Sequence, residues 1–287
     1  GDETHASICA AVAQANQAVV DARHLGDNSD WWAGVFRMVK QRTGIDMSKQ
    51  TVAIEVRPSL SIGGIAIDEH GRAVNGAWSR WFTGLYAAGD AACSGFHGVS
   101  VMPGNQLLDA IGGGLAAGDH AGEWVKSRNL SGSNVAQEEE DRANADFSAM
   151  CGTQDDAVIR VGSVATKLRD ASRQALLGAR DAASLSQSIE DLEALSVTAE
   201  SIHLDQHSLI ANTNLVEISR IQAGIRLVLA ATQSALAREE SRGSHQRSDY
   251  PEQIEDLLHH TTVDQTGATS TLGLRKGSTG NWVLPPQ

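Results

Sequence analysis

A short apolar run, Leu85–Ala88, ends in the pair Gly89 and Asp90, and a polar pair beginning at Asn105 follows. A glycine at the end of a buried strand lets the backbone turn where a side chain would block a ligand. A carboxylate beside that turn can accept hydrogen bonds from sugar hydroxyls. A helix that begins near Asn105 would direct its free N–H groups and its positive dipole end towards an electron-rich ring edge. These groups together predict a site for a nucleotide cofactor.

A cofactor that combines an electron-rich ring with sugar hydroxyls is typical of a flavin, so these residues indicate a flavin site. Asp90 is predicted to contact the ribose or ribityl chain, with a turn-capping carboxylate as the alternative. His97 lies in a glycine-flanked loop and is either close to the flavin or held by a structural hydrogen bond. The predicted cofactor-binding residues belong to these two short segments and are Gly89, Asp90, Ser94, Asn105, Gln106, Leu107 and Leu108.

Five segments, taken in order, resemble the C-terminal half of a flavoprotein family. They are Asp21-Ala-Arg-His-Leu-Gly26, Val56-Arg-Pro-Ser59 with Ile62-Gly-Gly-Ile65, Gly84 to Cys93, His97-Gly98 through Asn105-Gln-Leu-Leu-Asp109, and Glu239-Glu-Ser-Arg-Gly-Ser-His-Gln-Arg247. The family is the flavoprotein subunit shared by succinate dehydrogenase, fumarate reductase and L-aspartate oxidase. The resemblance implies FAD as cofactor and hydride transfer between a small-molecule substrate and the flavin.

The dinucleotide-binding βαβ unit with which family members begin has no counterpart in this chain. Gly112–Ala117 fits the glycine pattern of such a unit, but the preceding Leu107–Ile111 is typical of a helix rather than a strand. The resemblance therefore implies a partner that carries the Rossmann unit, either an N-terminal flavoprotein half or a separate subunit. An iron–sulfur subunit is a further possible partner, as in the respiratory members, and oxygen is the alternative electron acceptor.

The segments that would bind a dicarboxylate substrate depart from the family pattern. Val101 stands where the resemblance implies a carboxylate-binding Arg, and Ser59 or Ser61, depending on the alignment, replaces a His. Valine cannot bind a carboxylate, so we expect a less charged substrate. No catalytic residue is assigned; the pocket candidates are Ser59, Ser61, His97, Val101 and Met102.

Composition excludes several other functions. The chain has 287 residues, 41% of them hydrophobic, and a formal net charge of −12, which is unfavourable for binding nucleic acid. Its three cysteines are widely separated and form no CxxC pair, so we expect no metal site and a reducing, cytoplasmic location. We expect no direct membrane insertion, because the longest apolar run is short and interrupted.

The predicted fold class is α+β, with part of an FAD-binding α/β domain followed by an antiparallel helical bundle. The expected regions are the end of a capping domain at 1–50, the C-terminal part of the FAD-binding domain at 51–127, the bundle at 137–250, and a tail with a hairpin at 251–287. Helical spacing is seen over Ile8–Ala22 and Asp30–Arg42 and in three apolar rows of the bundle. The rows are Val158, Val161, Ala165 and Leu168; Leu185, Ile189, Leu192 and Leu195; and Leu215, Ile218, Ile221, Ile225 and Leu229. We expect Asn214 to cap the third row and the hairpin to turn around Lys276–Gly280.

Two further motifs have competing interpretations. The stretch Glu239–Arg247 is either an anion site or, as we favour, a network that joins the helical region to the flavin region. The pair His259 and His260 is expected on a solvated surface. The leading hypothesis is the C-terminal half of a divided FAD-dependent oxidoreductase. The alternatives are a non-catalytic assembly subunit that retains the fold, and a fragment of one longer flavoprotein.

Overall fold

The computed structural model describes residues 5–15, 17–28, 30–57, 61–74, 76, 80–102, 104–129, 133–151, 159–204, 208 and 210–274. The chain divides into two compact units, 1–59 and 60–287. Within the described residues no helix is both long and apolar enough to span a membrane.

In its described residues, the first unit contains two α-helices, two short 3₁₀ helices and one strand pair. Helix α1 covers His5–Gln14 and helix α2 covers Ala33–Thr43; strands β1, Ala18–Val20, and β2, Val52–Ile54, pair antiparallel. The prediction of one helix over Ile8–Ala22 is therefore wrong beyond Gln14. The β-branched side chains of Val19 and Val20 favour an extended backbone, and β2 supplies the partner strand that a local pattern cannot reveal.

The second unit begins with four short strands in two pairs. They are β3, Ile65–Ala66; β4, Arg72–Val74; β5, Trp81–Tyr86; and β6, Ala92–Cys93. Strand β3 pairs parallel with β6, and β4 pairs antiparallel with β5. Helix α3, Asn105–Lys126, follows and begins where the sequence predicts it.

Helices dominate the remainder of this unit. They are α4, Ser133–Cys151; α5, Val161–Leu176; α6, Ala182–Ala199; and α7, Thr213–Ala237, with a short parallel pair formed by β7, Ile159–Arg160, and β8, Ile202–His203. Helices α5, α6 and α7 pack on one another. Their shared core consists of Val164, Leu195, Ala199, Ile202, Leu204, Leu215, Ile218, Ile221 and Ile225. The fold is thus a mixture of helix and strand, and members of the predicted apolar rows lie in its core.

The cap of α7 differs from the prediction by two residues. Asn212, not Asn214, is the capping residue, and its side chain accepts hydrogen bonds from the amides of Asn214 and Leu215 at 3.1 and 3.3 Å. The backbone of Asn212 is extended, as a cap requires, whereas Asn214 already lies inside the helix.

A hairpin follows α7 and contacts it. Strands β9, His259–Val263, and β10, Thr269–Gly273, pair antiparallel. In the turn between them the amide of Asp264 donates to the carbonyl of Ala268, and the amide of Gly267 donates to the carbonyl of Asp264, each at 3.0 Å. The hairpin predicted around Lys276–Gly280 lies outside the described residues.

Candidate functional site

The turn at Gly89 and Asp90 lies directly after strand β5. Gly89 has a φ of +61°, and a side chain there would bring its Cβ to 3.3 Å from the Cβ of Ala110 in α3. The exposed Asp90 carboxylate accepts hydrogen bonds from the side-chain amide of Gln106 at 3.0 and 3.2 Å. The tertiary structure therefore joins the predicted Gly-Asp turn to the first turn of α3.

A second glycine allows the backbone to pack closely beneath this turn. Gly64 has a φ of +130°, and an added Cβ would lie 2.5 Å from the carbonyl oxygen of Ala91. This position precedes β3, which pairs with β6, so the close approach keeps the turn against the small parallel pair. Only a residue without a side chain fits there.

The first turn of α3 has no side-chain cap. Its capping residue is Gly104, with a φ of +88° and no side-chain hydrogen bond to the first turn, although the amide of Asn105 donates to the carbonyl of Met102 at 3.0 Å. Leu107 and Leu108 in the first turn are 67% and 62% exposed. A helix start of this kind offers amide donors, a positive dipole end and an apolar surface, which suits an electron-rich ring.

His97 forms a pair with Asp109 of α3. Nε2 of His97 lies 3.2 Å from Oδ2 of Asp109, and their side chains are 14% and 21% exposed. The ring nitrogen donates, because an ionised carboxylate can only accept. The Phe96 ring stands edge-on to the imidazole, with 5.2 Å between centroids. The sequence placed both residues in one family-like segment but gave no sign that they touch.

The pocket candidates are not brought together in the same way. Ser59 lies outside the described residues, and Ser61 is exposed just before β3. Val101 is half-buried and Met102 is 69% exposed in the segment before α3. In the part of the chain that the structure describes, no hydrogen bond joins Ser61 to Val101 or Met102. Ser94 is half-buried after β6, where its Oγ accepts from the amide of Phe96 at 3.3 Å.

The Glu239–Arg247 stretch contains a fully buried carboxylate. Glu240 is 0% exposed and pairs with Arg238 at 2.7 Å and with Arg242 at 2.9 Å. Burial tends to raise the pKa of Glu240, but hydrogen bonds from Arg242, the amide of Ile254 and Arg238 outweigh it and lower that pKa to about 2. The carboxylate therefore remains charged and holds two cations in the interior.

Two further pairs extend this cluster. Arg247 binds Asp249 at 2.7 Å, and Arg180 approaches Nδ1 of His245 at 3.2 Å. The pKa of His245 is lowered to about 4 by burial and by the positive charge of Arg180. The neutral ring accepts from Arg180 through Nδ1 and donates through Nε2 to the carbonyl of Arg238 at 3.2 Å. Sequence reasoning missed Arg180, which is distant along the chain and belongs to no motif.

The prediction that His260 lies on a solvated surface is wrong. It is half-buried in β9 rather than on a solvated surface, and its Nδ1 lies 4.0 Å from Sγ of Cys93. Burial and the nearby Arg238 lower its pKa. The strand β9 brings it there, and the local sequence does not encode that contact.

Two family models match the chain. One, described as an FAD binding domain, matches residues 9–107, and the other, described as the fumarate reductase flavoprotein C-terminus, matches residues 165–287. The first ends within the open N-terminus of α3. The second covers helices α6 and α7, the buried ion pairs and the hairpin.

Named relatives agree with these matches. A fumarate reductase flavoprotein subunit of Mycobacterium tuberculosis is 30% identical over 258 residues, which is 85% of this chain and 42% of that protein. A succinate dehydrogenase flavoprotein subunit of Rickettsia bellii is 26% identical over 82% of this chain and 40% of its own length. Among solved structures, an E. coli quinol fumarate reductase superposes with a TM-score of 0.81 at 21% identity, over 94% of this chain and 46% of that one. The chain thus spans less than half the length of these proteins.

Proposed function

The chain belongs to the fumarate reductase and succinate dehydrogenase flavoprotein family, and from this premise we propose that it supplies the C-terminal half of an FAD-dependent oxidoreductase. The rest of the FAD site would come from an N-terminal flavoprotein half or subunit that carries the Rossmann unit. The cofactor is FAD, as the matched binding domain indicates.

The observation that carries this proposal is the hydrogen-bonded join between the Gly89–Asp90 turn and the start of α3. Gln106 donates to Asp90, so the carboxylate and the open helix end are held in fixed relation. Asp90 retains acceptor capacity for sugar hydroxyls. The uncapped amides of α3 would offset negative charge at a ring edge. Glycine at position 89 lets α3 pack close to the turn at Ala110, and Gly64 lets the backbone approach Ala91.

FAD supplies hydride and electron transfer when it is bound. The contribution of this chain is to bind, orient and border the site. We propose Gly89, Asp90, Ser94, Asn105, Gln106, Leu107 and Leu108 as the cofactor-binding residues. His97, held by Asp109, is the nearby titratable group that is oriented well enough to hold a proton at a defined ring nitrogen.

The substrate of the proposed enzyme carries less negative charge than a dicarboxylate. Val101 occupies the place of an expected Arg, and the loss of each charge-assisted hydrogen bond would weaken carboxylate binding by about 1.5–3 kcal/mol. Ser59 or Ser61 in place of a His removes a second cationic group. Small uncharged or monocarboxylate molecules fit such a border better.

An exposed apolar surface supports the proposal of a partner. The large apolar side chains that are more than 40% exposed in this part of the chain include Phe82 and Leu85 of β5 and Leu107, Leu108, Ile111 and Leu115 of α3. Burying a leucine side chain stabilises by about 1.5–3 kcal/mol, so an N-terminal half that covers this surface would bind firmly. The proposal also includes an iron–sulfur subunit as possible electron acceptor, a cytoplasmic location, the division into four regions, and an antiparallel arrangement of α5, α6 and α7.

The first test is the native mass and the visible spectrum of the protein purified from its source with everything that stays bound. Stoichiometric FAD together with a Rossmann-bearing polypeptide is the expected result. A colourless protein without such a polypeptide would overturn the proposal and leave the assembly role.

A variant pair sharpens this test. Asp90→Ala removes the acceptor for sugar hydroxyls and should weaken FAD retention by tenfold or more, since charge-assisted hydrogen bonds contribute about 1.5–3 kcal/mol. Asp119→Ala removes an exposed carboxylate from α3, away from its first turn, and should leave FAD retention unchanged. Equal flavin content in both variants would remove Asp90 from the site.

A further inference from the structure

The segment between β6 and α3, residues 94–102, contacts the C-terminal region of the chain. Ser244 donates a hydrogen bond from Oγ to the carbonyl of Val99 at 2.9 Å. The neighbouring residue Gly243 packs directly on the Val99 side chain. Residues 94–102, here named the site loop, include His97, Val101 and Met102.

The contacting turn is tight and needs a glycine. Arg242 and His245 exchange backbone hydrogen bonds of 2.8 and 3.0 Å, and Gly243 between them has a φ of +55°. A Cβ added at Gly243 would lie 2.9 Å from Cβ of Val99 and closer still to its Cγ2. The backbone of the turn is therefore in close contact with the site loop, and no side chain at position 243 fits between them.

Buried arginine side chains also hold the turn in place. Arg242 is 7% exposed, pairs with the buried Glu240 and donates to the carbonyl of Ile254 at 2.9 Å. Arg247, two residues beyond the turn, donates to carbonyls at the end of α7, those of Ala235 and Leu236, at 3.0 Å each. Because these groups are buried and paired, the turn cannot move without separating charges in the interior.

A second contact holds the beginning of the site loop. An added Cβ at Gly95 would meet Cε1 of His260 at 3.2 Å, and the same imidazole lies beside the Cys93 thiol. The strand β9 that carries His260 is itself joined to the end of α7, because Arg238 donates to the carbonyl of His259 at 2.9 Å. The turn 242–245 and strand β9, which are joined through the end of α7, thus contact the site loop at two points.

We propose that the turn 242–245 is a positioning element for the site loop, and through it for the side of the active site that Val101 and Met102 border. The part that concerns the active site rests on the proposed function, whereas the mechanical coupling between turn and loop does not. The C-terminal region would then set the shape of the substrate side of the pocket as well as join the two parts of the fold.

Hydrogen–deuterium exchange of the whole chain, read by mass spectrometry, tests the coupling without a cofactor. The informative amides are those of Gly98 and Ser100, which donate to the carbonyls of Gly95 and His97. Ser244→Ala should speed their exchange roughly fivefold, the factor that corresponds to one hydrogen bond of about 1 kcal/mol. Gly243→Ala should speed it more. Peptides of α6 should not change.

Matched variants separate contact from backbone strain. Gly44→Ala imposes a side chain at a similar φ, +77°, where nothing lies within 4 Å, and should leave the site loop unchanged. Val99→Gly removes the side chain that Gly243→Ala would strike. If the contact transmits the effect, the double variant should exchange like Val99→Gly alone. Unchanged loop exchange in Ser244→Ala would overturn the proposal, and this variant decides the outcome if Gly243→Ala fails to fold.

A second readout links the coupling to the site. In the protein purified with its bound molecules, Ser244→Ala should alter the visible circular dichroism of the flavin. A colourless protein would sink the proposed function while the exchange experiment still decides the coupling. Bound FAD with an unchanged visible dichroism, alongside faster loop exchange, would refute the role in the active site.

Discussion

The regions 161–274 and 61–126 of the second unit differ in whether their large apolar side chains are buried or exposed. In the former, large apolar side chains on α6 and α7 are fully buried, including Leu185, Leu192 and Ile225. In the latter, the described buried apolar side chains are Ile67, Ala73, Ala87 and Ala117, most of them small. The larger apolar side chains of that region, such as Leu107 and Leu115, face outward.

This difference indicates which region is stabilised by its own residues. Buried apolar area is the main source of folding free energy, so region 161–274, which contains α5, α6 and α7, gains more stability from its own residues. Region 61–126 is instead held by close packing at glycines and by contacts from region 161–274, such as the hydrogen bond from Ser244 to the carbonyl of Val99. Its exposed large apolar side chains are the reason for the proposal of a covering partner. Variants can therefore test the two regions separately.

The largest expected effect is on the buried ion pairs. Glu240→Gln leaves the charges of Arg238 and Arg242 without a buried counter-ion and should lower the free energy of unfolding by about 3–5 kcal/mol. Urea denaturation followed by circular dichroism measures this change. The control is Glu217→Gln, which breaks an exposed pair with Arg220 and should cost less than about 1 kcal/mol. Similar losses in both variants would contradict the special role of Glu240.

Core and surface leucines should then behave differently. Leu192→Ala removes a fully buried side chain and should cost about 2–5 kcal/mol, because it leaves a cavity. Leu107→Ala, at an exposed position, should change the stability of the chain by no more than about 0.5 kcal/mol. The Leu107 variant should instead weaken association with the proposed N-terminal half, measured by co-purification. If Leu107→Ala destabilised the chain as strongly as Leu192→Ala, the contrast between the regions would fail.

Acid should act on the helical region through His245. An unfolded chain takes up a proton at this residue near pH 6.5, whereas the folded chain does so only near its lowered pKa of about 4. Between these values the unfolded state binds more protons, so stability should fall as the pH is lowered, with a slope of up to about 1.4 kcal/mol per pH unit. Urea midpoints across this range in the wild type and in His245→Asn measure the effect. A slope that persists in the variant would assign it to other groups.

The smallest effect concerns the cap of α7. Asn212→Ala removes a side chain that accepts from two amides and should cost about 1 kcal/mol. Asn214→Ala, inside the helix, should have almost no effect. Thermal unfolding of the two variants distinguishes them, and the reverse order would restore the capping position predicted from the sequence.

Local patterns in the sequence were sufficient for several elements near the site. The change from an apolar run to Gly89 and Asp90 predicted a turn, and that turn is observed with a positive φ at Gly89. The start of α3 at Asn105 was predicted correctly. Apolar spacing predicted buried positions on α6 and α7, including Leu185, Leu192 and Ile221. Each of these depends on residues a few positions apart.

Other predictions were wrong, and some contacts were not predicted, because the residues that meet lie far apart in the sequence. The end of α1 was misjudged, since β1 forms by pairing with β2. The position of His260 beside Cys93 depends on where β9 packs. The site residues Ser61, His97, Val101 and Met102 remain predictions, although the structure adds Asp109 as a partner of His97.

The sequence by itself determined the resemblance to the flavoprotein family, the turn at Gly89 and the start of α3, because motifs, residue spacing and turn chemistry are local properties of the chain. Only the tertiary structure decided which buried groups meet. Arg180 reaches His245, and Gly243 touches Val99, across separations that no motif spans. Such contacts depend on how helices and strands pack, and packing is a property of the whole unit rather than of any segment.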